Sequence, residues 1–324
     1  MVTLVQTPFF GAKTVYLTAI TLLVGFANAT YALGEETRPQ VIADVNFCYT
    51  PSRENTAYSE LLKTEVDSPN KLIAYGDSPL QFGELWLPYN STNPPLVIFV
   101  HGGCWLNAYD IQHSHALSTG LRRSGYAVWS IEYRRTGDEG GGWPGSLMDV
   151  TAAIHYGLNN LNKHVDINNT VVMGHSAGGH LALLASSDKR IVNRIKGVIG
   201  LAAIIDPALY SQGTNSCESA TADFMGGTAL EIPDAYKAAT VVASSLPTDS
   251  KLLIGSADRI VSKTQSEQIN IMVGEVARAG HFDFIDPHSW AFSGILRSLA
   301  KMLPVADVTI EKALEATDRK ALGK

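Results

Sequence analysis

Residues 170–182 read Thr-Val-Val-Met-Gly-His-Ser-Ala-Gly-Gly-His-Leu-Ala. A β-branched run drives into Ser176, and an apolar stretch with helical spacing follows at once. Gly174, Ala177 and Gly178 keep the flanks of the serine small. In a strand–turn–helix setting a G-x-S-x-G pentapeptide is a nucleophile elbow. Its strained turn projects the hydroxyl beyond the sheet edge, and only small neighbours escape a clash. Acyl transfer at such a serine needs three further parts: a base, a group that orients the base, and N–H donors for the developing oxyanion.

Each part has a candidate. His101-Gly102-Gly103-Cys104-Trp105 follows directly on the apolar run Leu96–Val100. Two glycines let the backbone pass close to a substrate carbonyl, so Gly102 and Gly103 are candidate oxyanion donors. Ala177 is a third, because its N–H lies at the head of the following helix, aided by the helix dipole. Cys104 and Trp105 adjoin this loop and are candidates for the substrate pocket. Trp143, Phe224 and Trp290 are further aromatics that either line it or fill the core. His101 reads as a brace for the loop, and His175 as a ring that points away from the elbow.

The candidate acid is Asp258, just past the apolar run Leu252–Gly255. Asp206 is its rival, with helix capping as the alternative role. The candidate base is His281, in Ala279-Gly280-His281-Phe282-Asp283-Phe284, where Gly280 gives the loop freedom to deliver the ring. His288 is the rival, with a place at a helix N-terminus after Pro287 as its alternative. The remaining histidines (His113, His115, His155, His164, His180) fit no metal-ligand spacing, and His113-Ser114-His115 reads as a solvated turn. The chemistry calls for no metal and no organic cofactor.

The elements that must position these residues alternate. Leu72–Tyr75 and Phe82–Leu87 read as two early strands separated by a Gly-Asp-Ser-Pro turn. Pro95–Val100 is a continuous apolar run, as in a strand buried on both faces. Then come helix Ala116–Ser124, strand Tyr126–Tyr133, helix Leu147–Leu161, strand Thr170–Met173, helix Gly178–Ser187, and strands Val198–Ile204 and Leu252–Gly255. Such alternation predicts an α/β fold with a mostly parallel central sheet and helices on both faces. Periodicity weakens between Asp206 and Ser250, the mark of a small cap excursion over a binding site (about 207–250) with a helix near Ile232–Ala239. The catalytic domain therefore spans about 33–304, and 305–324 reads as a charged, solvated helical tail.

The chain has 324 residues, is 45% hydrophobic and 17% charged, and carries a net charge of −6. That composition excludes a disordered chain, and the absence of a Lys/Arg stripe argues against nucleic-acid binding. Lys13, the apolar run Thr14–Phe26 and the small residues around Ala29 and Ala32 predict a secretion signal over 1–32. The apolar run is shorter than the ~20 residues that span a bilayer. A secreted or periplasmic protein is expected, without stable membrane insertion after cleavage; an uncleaved N-terminal anchor is the alternative. Cys48, Cys104 and Cys217 are the three cysteines. With Cys104 inside the Gly-Gly loop, Cys48–Cys217 is the one pair considered for a disulfide.

These motifs resemble the α/β-hydrolase superfamily, in particular bacterial esterases with an HGGxW loop, akin to hormone-sensitive-lipase-type carboxylesterases, feruloyl/acetyl-xylan esterases and kynurenine formamidases. The resemblance is carried by His101–Trp105, Glu132-Tyr133-Arg134-Arg135, Gly141-Gly142-Trp143-Pro144 with Asp149, Gly174–Leu181 and Gly280–Asp283. It implies an α/β-hydrolase fold, a Ser176–Asp258–His281 triad, an oxyanion hole of Gly102, Gly103 and Ala177, and hydrolysis of small-molecule esters. Hydrolysis of small amides, as by aryl formamidases, is the alternative, although export disfavours that role. A non-catalytic binding protein on the same fold is a third reading. Two features depart from the pattern. Cys104 replaces the usual Gly or aromatic, and only 22 residues separate Asp258 from His281, short for a helix plus a last strand.

Overall fold

The computed structural model describes residues 52–89 and 91–303. Eight strands form one sheet: β1 (Lys71–Ala74), β2 (Phe82–Trp86), β3 (Pro95–Val100), β4 (Ala127–Ile131), β5 (Asp166–His175), β6 (Gly197–Leu201), β7 (Ser250–Gly255) and β8 (Met272–Val276). Their order is β1-β2-β4-β3-β5-β6-β7-β8. β2 pairs antiparallel with β1 and β4, and the other five pairings are parallel. Eight helices accompany them among the described residues: α1 (Tyr58–Leu61), α2 (His115–Arg123), α3 (Gly145–Asn160), α4 (Ser176–Ser186), α5 (Pro207–Tyr210), α6 (Ser216–Met225), α7 (Pro233–Ala239) and α8 (Trp290–Met302). None of the described helices is long and apolar enough to cross a membrane.

The unbroken apolar run of β3 has a direct cause. A strand's side chains alternate between the faces of its sheet, and here both faces are covered. Leu96, Ile98 and Val100 join one buried cluster with Ile154 of α3 and Leu181 of α4. Val97 and Phe99 join a second with Leu117 of α2 and Phe292 of α8. Each such side chain contributes roughly 1.5–3 kcal/mol when fully buried.

The parallel register sends the carboxyl ends of β3, β5, β7 and β8 to one edge, where loops can form a crevice. The candidate oxyanion loop, Ser176, Asp258 and His281 follow those four ends. The short interval between Asp258 and His281 is also explained. A 3-10 turn, Lys263–Gln268, stands where a longer helix was expected, and β8 is a five-residue edge strand. Between β6 and β7 the excursion is built of α5, α6 and α7 with a 3-10 turn at Ala243–Ser245.

The solvated turn at His113-Ser114-His115 is not solvated: His113 and Ser114 are buried where a 3-10 turn enters α2, and His115 pairs with Glu84 at 2.9 Å. The Cys48–Cys217 pairing is displaced, because Cys217 is bonded to Cys104. The secretion signal, Cys48 and the charged tail lie outside the described residues.

Candidate active site

Ser176 sits at φ +56°, in the left-handed region where a side chain crowds its own backbone. The surroundings hold it there. A Cβ on Gly174 would collide with the carbonyl of Gly178, and a Cβ on Gly178 would collide with the carbonyls of Val100 and His101. Neither glycine tolerates a side chain, so the elbow packs directly on the end of β3. Ser176 also begins α4, and no side chain caps that helix. Its first N–H groups, Ala177 among them, lack intrahelical acceptors and face the crevice end of the helix.

The glycine loop lies against the elbow. A Cβ on Gly102 would sit 2.9 Å from the carbonyl oxygen of His175 and 3.1 Å from Cβ of Ser176. No carbonyl among the described residues accepts the N–H of Gly102 or Gly103. The chain then turns through three consecutive positive φ values, +112° at Gly103, +54° at Cys104 and +58° at Trp105.

His101 braces this loop. Its Nδ1 lies 2.8 Å from the carbonyl oxygen of Gly102, and its Nε2 lies 3.0 Å from Glu132 Oε1. Neither nitrogen is left to take a proton from a substrate or from Ser176. Glu132 also accepts from the backbone N–H groups of Tyr133 and Ile111, at 2.9 Å each. Burial would raise its carboxyl, but His101 and Arg135 outweigh burial and hold it below the usual range.

Asp258 and His281 come together. His281 Nδ1 donates to Asp258 Oδ2 at 2.8 Å, with both side chains buried. The other carboxylate oxygen accepts from the N–H groups of Ile260 (2.8 Å) and Val261 (2.9 Å), which fixes its direction. The imidazole is thereby left with Nε2 as its free acceptor. The His281 ring lies 4.5 Å from that of His175, the residue before the serine. The rivals are occupied elsewhere. Asp206 caps α5, accepting from Ala208 N (2.8 Å) and Leu209 N (3.1 Å). His288 engages through its backbone, accepting from Ser52 and Arg53.

Cys104 and Trp105 do not form an open pocket wall. Trp105 is completely buried, with its ring stacked on Phe224 of α6 at 4.6 Å and 8°. Cys104 is 7% exposed and its sulfur is bonded to Cys217. Both support the glycine loop from the excursion side. Among the described residues no group of three His, Cys, Asp or Glu converges as a metal site.

Two features gave no clear signal in the sequence. The first is a chain of hydrogen-bonded imidazoles behind the candidate base, His281. His175 Nε2 donates to the main-chain carbonyl of His281 at 3.0 Å, so its Nδ1 accepts from His113 Nε2 at 3.2 Å. Burial holds both rings far below the ordinary histidine value, His113 at about 3. The second is a strap. Asp283 Oδ2 accepts from Asn55 N (2.7 Å) and Gly280 N (2.8 Å), and Oδ1 from Thr56 N (2.7 Å). The strap then delivers Tyr58, whose ring meets Phe282 at 5.2 Å and His113 at 5.5 Å.

Known proteins resemble this chain in sequence or in fold. Esterase LipC of Mycobacterium tuberculosis is 36% identical over 116 residues, 35% of this chain and 28% of LipC. A kynurenine formamidase of Meyerozyma guilliermondii is 25% identical over 69% of this chain and 84% of its own. The chain thus spans little more than a quarter of LipC and most of the formamidase. A truncated carbohydrate esterase from gut microbiota shares the fold with a TM-score of 0.64 at 20% identity, over 78% of this chain and 99% of that one. Residues 84–272, more than half of the sequence, match the BD-FAE family model, and the chain belongs to that family of esterase-type α/β hydrolases.

Proposed function

We propose that the chain is a serine hydrolase that cleaves small carboxylic esters through an acyl-enzyme. Ser176 Oγ attacks the ester carbonyl while His281 Nε2 takes its proton, and the new oxyanion accepts from the N–H groups of Gly102, Gly103 and Ala177. The alcohol leaves with the proton that His281 held. Water then adds to the acyl carbon with His281 again as base, and the acid leaves as Ser176 recovers its proton. Asp258 keeps the Nδ1 proton in place and stabilises the imidazolium.

The observation that carries this reading is the 2.8 Å pair of Asp258 and His281, with the His281 ring 4.5 Å from that of His175, the residue that precedes a serine at positive φ. The test is labelling by a fluorophosphonate probe together with turnover of matched nitrophenyl esters. Wild type is expected to be labelled and to prefer short acyl chains, whereas Ser176→Ala does neither. Undiminished turnover by Ser176→Ala would overturn the mechanism, and an unlabelled wild type would favour a binding protein.

The extended match to a formamidase supports a second reading, in which the same machinery opens small amides. Formyl-kynurenine in the same assay decides it: turnover above that of nitrophenyl acetate would make the amide the substrate. The signal-like N-terminus supports export, and a disulfide suits an oxidising compartment. Recovery of the expressed protein only from the cytosol, with residue 1 intact, would refute export.

A further inference from the structure

Helix α6 is bonded to both of the loops that the hydrolytic reading requires. Its second residue, Cys217, is disulfide-linked to Cys104 across 113 residues of sequence, with a Cα–Cα distance of 4.9 Å. Its N-cap, Asn215, accepts from Cys217 N and Glu218 N through Oδ1 and sends its Nδ2 to the carbonyl of Ile260 at 3.1 Å. Ile260 is two residues past Asp258 and donates its own N–H to that carboxylate. Tyr210, at the end of α5, donates to the same Ile260 carbonyl at 3.2 Å. Further along α6, Phe224 carries the Trp105 ring and accepts from Trp143 N at 2.8 Å.

The glycine loop needs such support. Cys104 and Trp105 both occupy the left-handed region, where a side chain crowds its own backbone. Conformations of this kind persist only where neighbours over-determine them. The loop has backbone bonds from Leu106 N to Gly103 O (2.9 Å) and from Thr136 N to Trp105 O (2.8 Å). His101 holds the Gly102 end of the loop, and at Cys104 and Trp105, where the backbone is strained, the side-chain anchors from α6 are a covalent bond and a ring stack.

We propose that α6 is the positioning element of the oxyanion loop, with the Cys104–Cys217 disulfide as its covalent half, so that full turnover requires the oxidised protein. The proposal rests on the hydrolase reading. A dithiol reductant opens the clamp in two exchanges. One reductant thiolate attacks a protein sulfur and breaks the S–S bond, and the second displaces it. Two electrons and two protons pass to Cys104 and Cys217, and the reductant leaves as a cyclic disulfide. The N–H groups of Gly102 and Gly103 then lose their fixed aim at the oxyanion.

The experiment compares oxidised wild type, wild type reduced with dithiothreitol, and Cys104→Ala/Cys217→Ala, at a temperature where circular dichroism shows all three folded. Outright loss of one oxyanion donor costs about 10²–10³ in rate. A loosened loop is expected to lose about tenfold in kcat, with KM for nitrophenyl acetate changed far less. Reoxidation restores wild type, while the double variant is indifferent to reductant. A kcat unchanged after thiol titration confirms reduction of the wild type would overturn the clamp and leave the hydrolase reading intact. If the double variant does not fold, the reduced wild type decides alone. Absence of turnover and labelling in the oxidised protein would remove the hydrolase reading, and the clamp with it.

Discussion

Asp258 spends one oxygen on two backbone N–H groups and the other on His281. That division makes a sharp prediction. In Asp258→Asn the amide oxygen would keep the backbone bonds and the amide nitrogen would face Nδ1. The imidazole proton then moves to Nε2, the nitrogen that accepts from Ser176 in the proposed mechanism. A drop in kcat of about 10³–10⁴ is expected, with little change in KM, because the wrong tautomer disables the base without moving it. Steady-state kinetics checks this, and a loss below tenfold would return the acid role to a residue other than Asp258. Ser176 and Asp258 were legible in the sequence because each follows an apolar run, and His281 because a glycine-led loop carries it. His113 and His175 were not. A buried neutral imidazole has no spacing rule, and its partners here are a distant carbonyl and another ring.

The sheet was legible for the same reason that its cores form: alternation and apolar runs mark β3 to β7 and the helices α2, α3 and α4, whereas α5 and α6 lie where that periodicity fades. The strap over residues 52–58 escaped because hydrogen bonds, not periodic apolar residues, hold it. The Cys104–Cys217 link escaped because a cysteine beside two glycines reads as part of a substrate pocket, while its partner lies on a helix whose placement no local pattern specifies. The strap's weight falls on Asp283. Asp283→Ala would leave the N–H groups of Asn55, Thr56 and Gly280 without their acceptor. Water can reach the exposed Asn55, so at roughly 1–3 kcal/mol for each of the two buried groups, Thr56 and Gly280, a loss of about 2 kcal/mol or more is expected. Gly280 immediately precedes His281, so kcat should fall as well. Urea unfolding and kinetics on the same preparation check both, and a variant of wild-type stability would demote the strap to a surface embellishment.

The packing that closes both faces of the sheet also traps histidines, and this sets how the whole molecule responds to acid. Burial holds His113 at about 3 and, against the opposing pull of the Ala239 carbonyl and Asp206, His180 at about 4. Burial and the neighbouring His281 and His113 hold His175 well below 6.5. In the unfolded chain all three titrate near 6.5. Above that pH they are neutral in both states and contribute no pH dependence. Below it the unfolded chain binds protons that the folded protein refuses, so stability falls as pH falls. Each ring costs about 1.4 kcal/mol per pH unit until its folded pKa is reached. Three together approach ~4 kcal/mol per unit, against a typical total of 5–15 kcal/mol. Glu132, held low by His101 and Arg135 despite its burial, adds a loss of the same sign once pH drops through the carboxylate range. Cooperative unfolding is therefore expected between about pH 6 and 4. His180→Phe removes one titrating ring and should flatten the decline of melting temperature from pH 6.5 to 5 by about a third. Equal slopes for the variant and the wild type would mean that the ring gains its proton within the folded state, through an opening of the excursion above α4 that the packed structure does not provide.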